Sequence, residues 1–380
     1  MPTETNILIL GGTGYIGGSV LLRLLDHPNA SNFKIRAVSR SPEKWNQLRK
    51  MGINSVYGSL SDLSLLESLA SQADVVVSMR SVKADADDLE AVKAILKGLK
   101  DHHTETEQCP IFIHTSGTCL FADTKAGGRF SNTQIYDDSD VAQIETIPDT
   151  QPHRVVDLEL VRADKEGYVK TYIVLPATIY GVPNGRLVEQ GIQNSRGIAL
   201  PSLVRAASIR GRAGIIGSGM NYWPNVHIDD VADLYLIIFN AALTKPETTG
   251  HGRAGYYIAE NGEHTQYQVA DAICQAMIAV GESSESEPSP FTSEEIQEYF
   301  NGSKLWACHC RCRATRSRAL GWKPKKATVD MLASIRLEVE ETLVMKKIYE
   351  QYGLVPIERY PEKPELEAMD FRGDNEIAVE

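Results

Sequence analysis

The first residues in this chain with chemistry to offer are a run of glycines. Gly11, Gly12, Gly14 and Gly17 follow the apolar run Asn6–Leu10 and open a helix-like stretch, in the order Gly12-x-Gly14-x-x-Gly17 with Thr13, Tyr15 and Ile16 between. At a strand-to-helix junction, small residues at this spacing let the backbone approach a pyrophosphate. The helix amino end adds N–H donors that have no partner inside the helix. The plainer alternative is a tight turn that only packs a helix on a sheet. The next apolar run ends Ala37-Val38-Ser39-Arg40-Ser41-Pro42-Glu43-Lys44. An acid at that end would hold the ribose 2′-hydroxyl of NAD and repel a 2′-phosphate. Arg40 and Lys44 suit a phosphate instead, so NADP(H) is the expected cofactor, unless the two are simply solvated charges. A second cluster, Cys308-His309-Cys310-Arg311-Cys312, has ligand chemistry but lacks the Cys-x-x-Cys spacing of structural zinc and a second cysteine pair. No metal is expected there.

These residues need elements to hold them. Asn6–Leu10, Phe33–Val38, Ser55–Tyr57, Asp74–Val77, Ile111–His114 and Tyr172–Leu175 read as buried strands. Helical patterns at Ile16–Asp26, Glu43–Met51, Leu63–Ser71 and Asp87–Lys100 alternate with them. Strict alternation predicts an α/β fold, a doubly wound parallel sheet of Rossmann type. After Pro176 the rhythm changes, and Gly, Arg and Asn crowd Gly181–Asn221. Helices are expected at Asp229–Leu243, Tyr267–Val280, Ser293–Phe300 and Thr328–Tyr349, a strand at Tyr256–Ala259 and an exposed loop at Gly281–Pro290. The expected organisation is a nucleotide-binding domain over 1–180, with strands returning from 225–260. A smaller, mainly substrate-binding C-terminal lobe over 181–350 and an acidic tail over 351–380 complete it.

Composition narrows the function classes. The 380 residues carry 39 Lys and Arg against 50 Asp and Glu, a net charge of −11, with 42% hydrophobic and 23% charged residues. That balance fits a soluble globular protein and gives no basic face for nucleic acid. No apolar run has the roughly 20 residues of a membrane span. The start lacks a basic leader and six cysteines make no disulfide framework, so a cytoplasmic protein is expected. Pro361–Glu380 holds seven acidic against two basic residues.

With these residues in view the chain resembles the short-chain dehydrogenase/reductase superfamily, of the extended or atypical type that includes nucleoside-diphosphate-sugar epimerases. The resemblance runs from Asn6 to Thr328. It rests on the glycine turn, Tyr57-Gly-Ser-Leu-Ser-Asp62, Ile113-His-Thr-Ser116-Gly-Thr118, Leu175-Pro176-Ala-Thr-Ile-Tyr180-Gly181, Asn225-Val-His227-Ile-Asp229-Asp230-Val-Ala232 and Leu320-Gly-Trp-Lys-Pro324. It implies that Gly12, Gly14, Tyr15, Ile16 and Gly17 line the pyrophosphate and that Ser59 and Leu60 lie near the adenine. It also places Met79 and Arg80 beside the cofactor, and Pro176 and Thr178 near the nicotinamide. Ser59 stands where the family usually has an aspartate. The family's catalytic Tyr-x-x-x-Lys window holds His153 and Asp157 instead, while Ser116 occupies the catalytic Ser/Thr position.

The substitution changes the chemistry. A carboxylate beside a phenol would raise its pKa, but beside an imidazole it stabilises the charged ring and fixes the tautomer. Four residues apart on one helix face, His153 and Asp157 form a candidate acid/base pair, with Ser116 holding a substrate oxygen. Tyr136 and Asp138 could enter from the loop after Ser116. Phe130, Tyr136, Tyr222 and Trp223 are the candidate aromatic lining. Two functions follow. One is an NADP(H)-dependent oxidoreductase that reduces a carbonyl, imine or activated double bond of a small apolar metabolite. The other is a nucleotide-binding protein without redox turnover, either an isomerase or cyclase in the same pocket or an NADP-sensing regulator. The expected partner is a small molecule, not nucleic acid or membrane, with a homodimer as one option.

Overall fold

The computed structural model describes residues 4–79 and 88–351. Arg80 and tail residues 352–380 lie outside the described residues. Seven parallel strands form the central sheet: β1 Thr5–Leu10, β2 Phe33–Ser39, β3 Asn54–Tyr57, β4 Val75–Ser78, β5 Ile111–Thr115, β6 Lys170–Pro176 and β7 Tyr256–Ala259. Their spatial order is β3-β2-β1-β4-β5-β6-β7. The order reverses between β1 and β4, where the chain crosses from β3 back to the far side of β1. The crevice outside the carboxyl ends of strands at such a switch is where open α/β sheets bind ligands. Ile7, Leu8, Ile9 and Leu10 are all buried because both sheet faces are covered, each contributing about 1.5–3 kcal/mol by burial.

Helices α1 Tyr15–Leu25, α2 Pro42–Lys50, α3 Leu63–Ala70, α4 Leu89–Thr106 and α5 Arg154–Lys165 connect the first six strands. α4 runs six residues beyond the expected Lys100, to a left-handed C-cap at Glu107. Ser41 caps α2 by accepting from the Lys44 N–H at 3.3 Å, and Pro42 fixes its first turn. This local chemistry places Arg40 and Lys44 at the carboxyl end of β2.

The second lobe has a core of its own. α6 Ala199–Arg210, α8 Gln266–Ala279 and α9 Thr328–Gln351 pack around Leu203, Ile215, Ile273, Met277, Phe300 and Met331. α7, Ile228–Thr244, belongs to the nucleotide half and packs along α1. A three-stranded sheet joins the lobes: Tyr222–His227 pairs in parallel with Thr178–Tyr180 and antiparallel with Glu263–Thr265. The Leu-Gly-Trp segment closes back on α7, where Trp322 donates its indole N–H to the Asp230 carbonyl at 2.8 Å. The Asp230 carboxylate accepts from the backbone of Lys325 and Lys326.

Candidate active site

A cleft of about 730 Å³ runs from the carboxyl ends of β1 and β2 to the second lobe. A smaller cavity of about 400 Å³, lined by Asn6, Phe33, Arg36 and Gln72, lies at the opposite, amino ends of the strands. The cleft is the one that meets the glycine turn. Gly11, Thr13, Gly14, Tyr15 and Ile16 form its floor, with Ser39, Arg40, Lys44, Ser59, Leu60 and Met79 at one end. Gly12 and Gly17 lie behind that wall. A Cβ on Gly17 would sit 1.9 Å from the Gly11 carbonyl oxygen, so only glycine lets α1 come this close to the turn. Gly14 is the N-cap of α1 and carries no side-chain cap. The first N–H groups of the helix, which have no intrahelical partner, therefore face the cleft with their positive dipole end. This cradle fits the pyrophosphate of a dinucleotide.

At the far end the cleft reaches Ser116, Gly117, Thr118, His153, Pro176 and Thr178. The sequence placed His153 and Asp157 on one helical face; in the structure Asp157 lies in the first turn of the helix and His153 just before it. α5 begins at Arg154, and His153 is its N-cap, in the left-handed region at φ 68°. Its carbonyl accepts from the Asp157 N–H at 3.0 Å, closing the first turn of the helix. A Cβ on Gly117 would lie 3.0 Å from His153 Nε2, so the imidazole packs directly over that glycine. Among the described residues, Glu107 and Asn301 also have positive φ, and both are helix C-caps, where that conformation is ordinary. N-caps are normally extended. Holding His153 there costs about 1–3 kcal/mol, the kind of strain that collects at functional sites.

Asp157 is fully buried behind the cleft wall and accepts the Ser116 hydroxyl proton at 3.0 Å. A serine has one proton to give. Ser116 therefore presents an acceptor to the cleft, so the substrate oxygen it could hold is one that carries a proton, an O–H, or else an N–H. Below Asp157, the Arg154 guanidinium donates to the Tyr256 hydroxyl at 3.1 Å, and burial drives the Tyr256 phenol far above its ordinary pKa, with Asp157 adding to the rise.

Of the candidate aromatic residues, Trp223 lines the cleft; Tyr136 and Tyr222 do not. Tyr136 stacks on Phe121 at 4.9 Å between ring centroids, within a short pairing of Tyr136–Asp137 with Cys312–Arg313. Tyr222 and Phe130 pack edge-on against each other and His309. Asp138 does not enter the site. It is buried and accepts from the backbone of Ile258, Arg316 and Ser317, and its burial raises its pKa to about 6. The Cys308–Cys312 segment braces the loop after Ser116, with Cys310 Sγ donating to the Thr118 carbonyl at 3.2 Å.

Residues that the sequence did not single out complete the cleft. Gly117 makes room for the imidazole. Leu305 and Trp306 wall the far end together with Trp223, and Asn194, Arg196, Ile198 and Ala199 come down from the second lobe. Arg196 is engaged by Glu338 and Glu341 of α9. Nothing in the local pattern marks these residues, because they meet the site only through long-range packing.

Comparison with known proteins gives the family and the fold. The model of the NAD dependent epimerase/dehydratase family matches residues 7–253. An "Oxidase ucsJ" from Acremonium sp. is 29% identical over 336 residues, covering 84% of this chain and 92% of that protein. An uncharacterised Schizosaccharomyces pombe protein is 25% identical, covering 85% and 96%. Among solved structures, UDP-glucose 4-epimerase of Thermotoga maritima with UDP-glucose superposes with TM-score 0.59 at 17% identity, covering 89% of this chain and 99% of that one. A dTDP-glucose 4,6-dehydratase double mutant of Streptomyces venezuelae with NAD bound gives 0.61 at 15%, covering 88% and 97%. At such identities the structures show a shared fold.

Proposed function

Because the chain belongs to the NAD dependent epimerase/dehydratase family, we propose that it is an NADP(H)-dependent oxidoreductase that reduces a carbonyl, imine or activated double bond of a small apolar metabolite. The observation that carries the cofactor choice is the end of β2. Arg40 and Lys44 both line the cleft there and no carboxylate stands in the acid's place. Thr13, Gly14, Tyr15 and Ile16 would hold the pyrophosphate, with Gly12 and Gly17 letting the helix close behind them, Ser59, Leu60 and Met79 the adenosine side, and Pro176 and Thr178 the nicotinamide side.

When bound, the nicotinamide supplies the hydride. The chain's own residues manage the proton and the water. His153, held over Gly117 at the cleft wall, delivers a proton to the substrate heteroatom as negative charge develops there. Ser116, its own proton committed to Asp157, accepts from the hydroxyl or amine of the product and fixes its orientation. Trp223, Trp306, Leu305 and Ile198 give the substrate end an apolar wall that excludes water. Among the described residues at that end, the cation Arg196 is already engaged by two carboxylates, which favours a neutral body over a diphosphate. The test is loss of reduced-nicotinamide absorbance when the protein and NADPH meet a panel of neutral aromatic aldehydes, ketones and imines. Turnover with NADPH supports the reading.

A second reading draws on the replacement of Tyr-x-x-x-Lys by His153 and Asp157: a pocket that keeps the nucleotide and rearranges or senses a ligand without net redox change. Tight NADPH binding with no hydride loss across the panel would favour it.

A further inference from the structure

The segment that leads into the second lobe is tied to the nucleotide half beside the cofactor end of the cleft. Residues 190–194 run along α1 to the edge of the cleft, which Asn194 lines, and are fastened to the nucleotide half at several points. Gln193, buried, donates its side-chain amide to the Tyr15 carbonyl at 2.9 Å and to Ser19 Oγ at 2.8 Å. The Asn194 N–H donates to the Thr13 carbonyl at 3.0 Å, inside the glycine turn itself. On the α2 side, Gln47 donates to the Gln190 carbonyl at 3.1 Å. A Cβ on Gly18 would overlap the Gln193 side chain at 2.4 Å, so α1 carries a glycine where this strap presses on it.

The strap ends on the group expected to meet the 2′-phosphate. Lys44 donates its ammonium to Asn194 Oδ1 at 3.3 Å, across 150 residues of sequence. Lys44 is half-buried at the cleft edge, and loss of water around its ammonium lowers its pKa, with Glu43 opposing the change. An ammonium on a four-carbon stem has many rotamers, and one neutral acceptor restricts it while leaving two of its three protons to bond an anion. A neutral amide does this without cancelling the charge. A carboxylate in the same place would cancel it.

We propose that Asn194 is a positioning residue for cofactor choice: a segment remote in sequence holds Lys44 over the 2′-phosphate of NADP(H), so selectivity is not set by the end of β2 alone. This rests on the NADP(H) reading above. Asn194 lies two and four residues before Arg196 and Ile198, which line the substrate end, so 2′-phosphate binding at Lys44 also restrains the segment that reaches that end.

The test is a titration of purified full-length protein with NADPH and with NADH, followed by nicotinamide fluorescence, in five forms: unaltered, Asn194→Ala, Asn194→Asp, Lys44→Ala and the Lys44→Ala/Asn194→Ala double variant. Loss of one positioning hydrogen bond predicts that Asn194→Ala raises the NADPH Kd about 2–12-fold and leaves the NADH Kd unchanged. In the Lys44→Ala background, Asn194→Ala should have no further effect, because it acts through that ammonium. Asn194→Asp, of the same size, should weaken NADPH more than Asn194→Ala does. Asn194 is exposed, and thermal unfolding of each variant checks that the fold survives. Equal weakening of both cofactors by Asn194→Ala, or an effect that persists without Lys44, overturns the proposal while the NADP(H) reading stands. Equal NADPH and NADH affinities in the unaltered protein overturn both.

Discussion

The two ends of the cleft are built in different ways. The cofactor end comes from consecutive segments of chain. The turn after β1 and the turn after β2 deliver backbone N–H groups, Arg40 and Lys44 to one rim, within 45 residues of the start. The substrate end is assembled from Thr118, His153, Ile198, Trp223 and Trp306, which no local spacing links. Backbone geometry governs the first and side-chain packing governs the second. Substitutions at the two ends should therefore fail differently: one should lose the nucleotide, and the other should keep the nucleotide and lose the reaction.

The harshest way to test that contrast is Gly17→Ala. The new methyl would meet Gly11 backbone atoms at 1.9 and 2.6 Å, and backbone cannot swing aside. Nucleotide binding should be abolished in titrations and the unfolding midpoint should fall. A folded Gly17→Ala variant with intact NADPH affinity would remove the basis for the cradle.

Next in size is His153. His153→Ala should cost turnover roughly 10²–10⁴-fold with cofactor affinity nearly unchanged. His153→Asn separates strain from chemistry, because asparagine tolerates the left-handed backbone but has no titrating group. It should be as inactive as the alanine variant and more stable. If His153→Asn retains full turnover, the proton comes from another group. A smaller loss is expected for Asp157→Asn, in which an amide can still bond Ser116 but no longer accepts its proton as an anion; Kd for NADPH should stay put.

The mildest prediction concerns pH. His264, on the strand paired with Trp223 beneath the substrate end, is fully buried, and burial pushes its pKa down to about 3. The unfolded chain takes up this proton near pH 6.5, whereas the folded protein resists it to about 3. Its neutral form thus contributes full stability above about 6.5, and that contribution is lost as pH falls towards 3. Between pH 7 and 5 the loss is about 2 kcal/mol. Urea unfolding at the two pH values should show it, and His264→Gln should remove most of that difference. An unchanged pH dependence in His264→Gln would assign the loss elsewhere.

What could be read from sequence follows the same division. The strands of the parallel sheet, the glycine turn and the Arg40–Lys44 corner were legible because their signals are local: buried apolar runs, fixed spacing, a capped helix start. The sheet joining the lobes was not. Its central strand, Tyr222–His227, contains Pro224, which argues against a strand. The structure accommodates it because residues 222–224 pair on one side and 225–227 on the other, so Pro224 has an open flank. α6 starts within a Gly- and Arg-rich stretch and carries Pro201 in its first turn, where proline is tolerated but breaks the pattern. At the site, spacing placed His153 four residues before Asp157, yet the positive φ that puts the imidazole over Gly117 leaves no trace in spacing. Tyr136 and Tyr222 have the right side chains for a substrate wall and are consumed by packing around Phe121 and His309.

Which nucleotide the end of β2 selects is measured most directly by one paired titration. Unaltered protein and Arg40→Ala are each titrated with NADPH and NADH at fixed ionic strength. NADPH should bind the unaltered protein more tightly than NADH. Arg40→Ala should weaken NADPH by about 1–3 kcal/mol, the worth of a charge-assisted contact, and barely change NADH. Coincident NADPH and NADH curves in the unaltered protein, or an Arg40→Ala variant that loses both equally, would contradict the account.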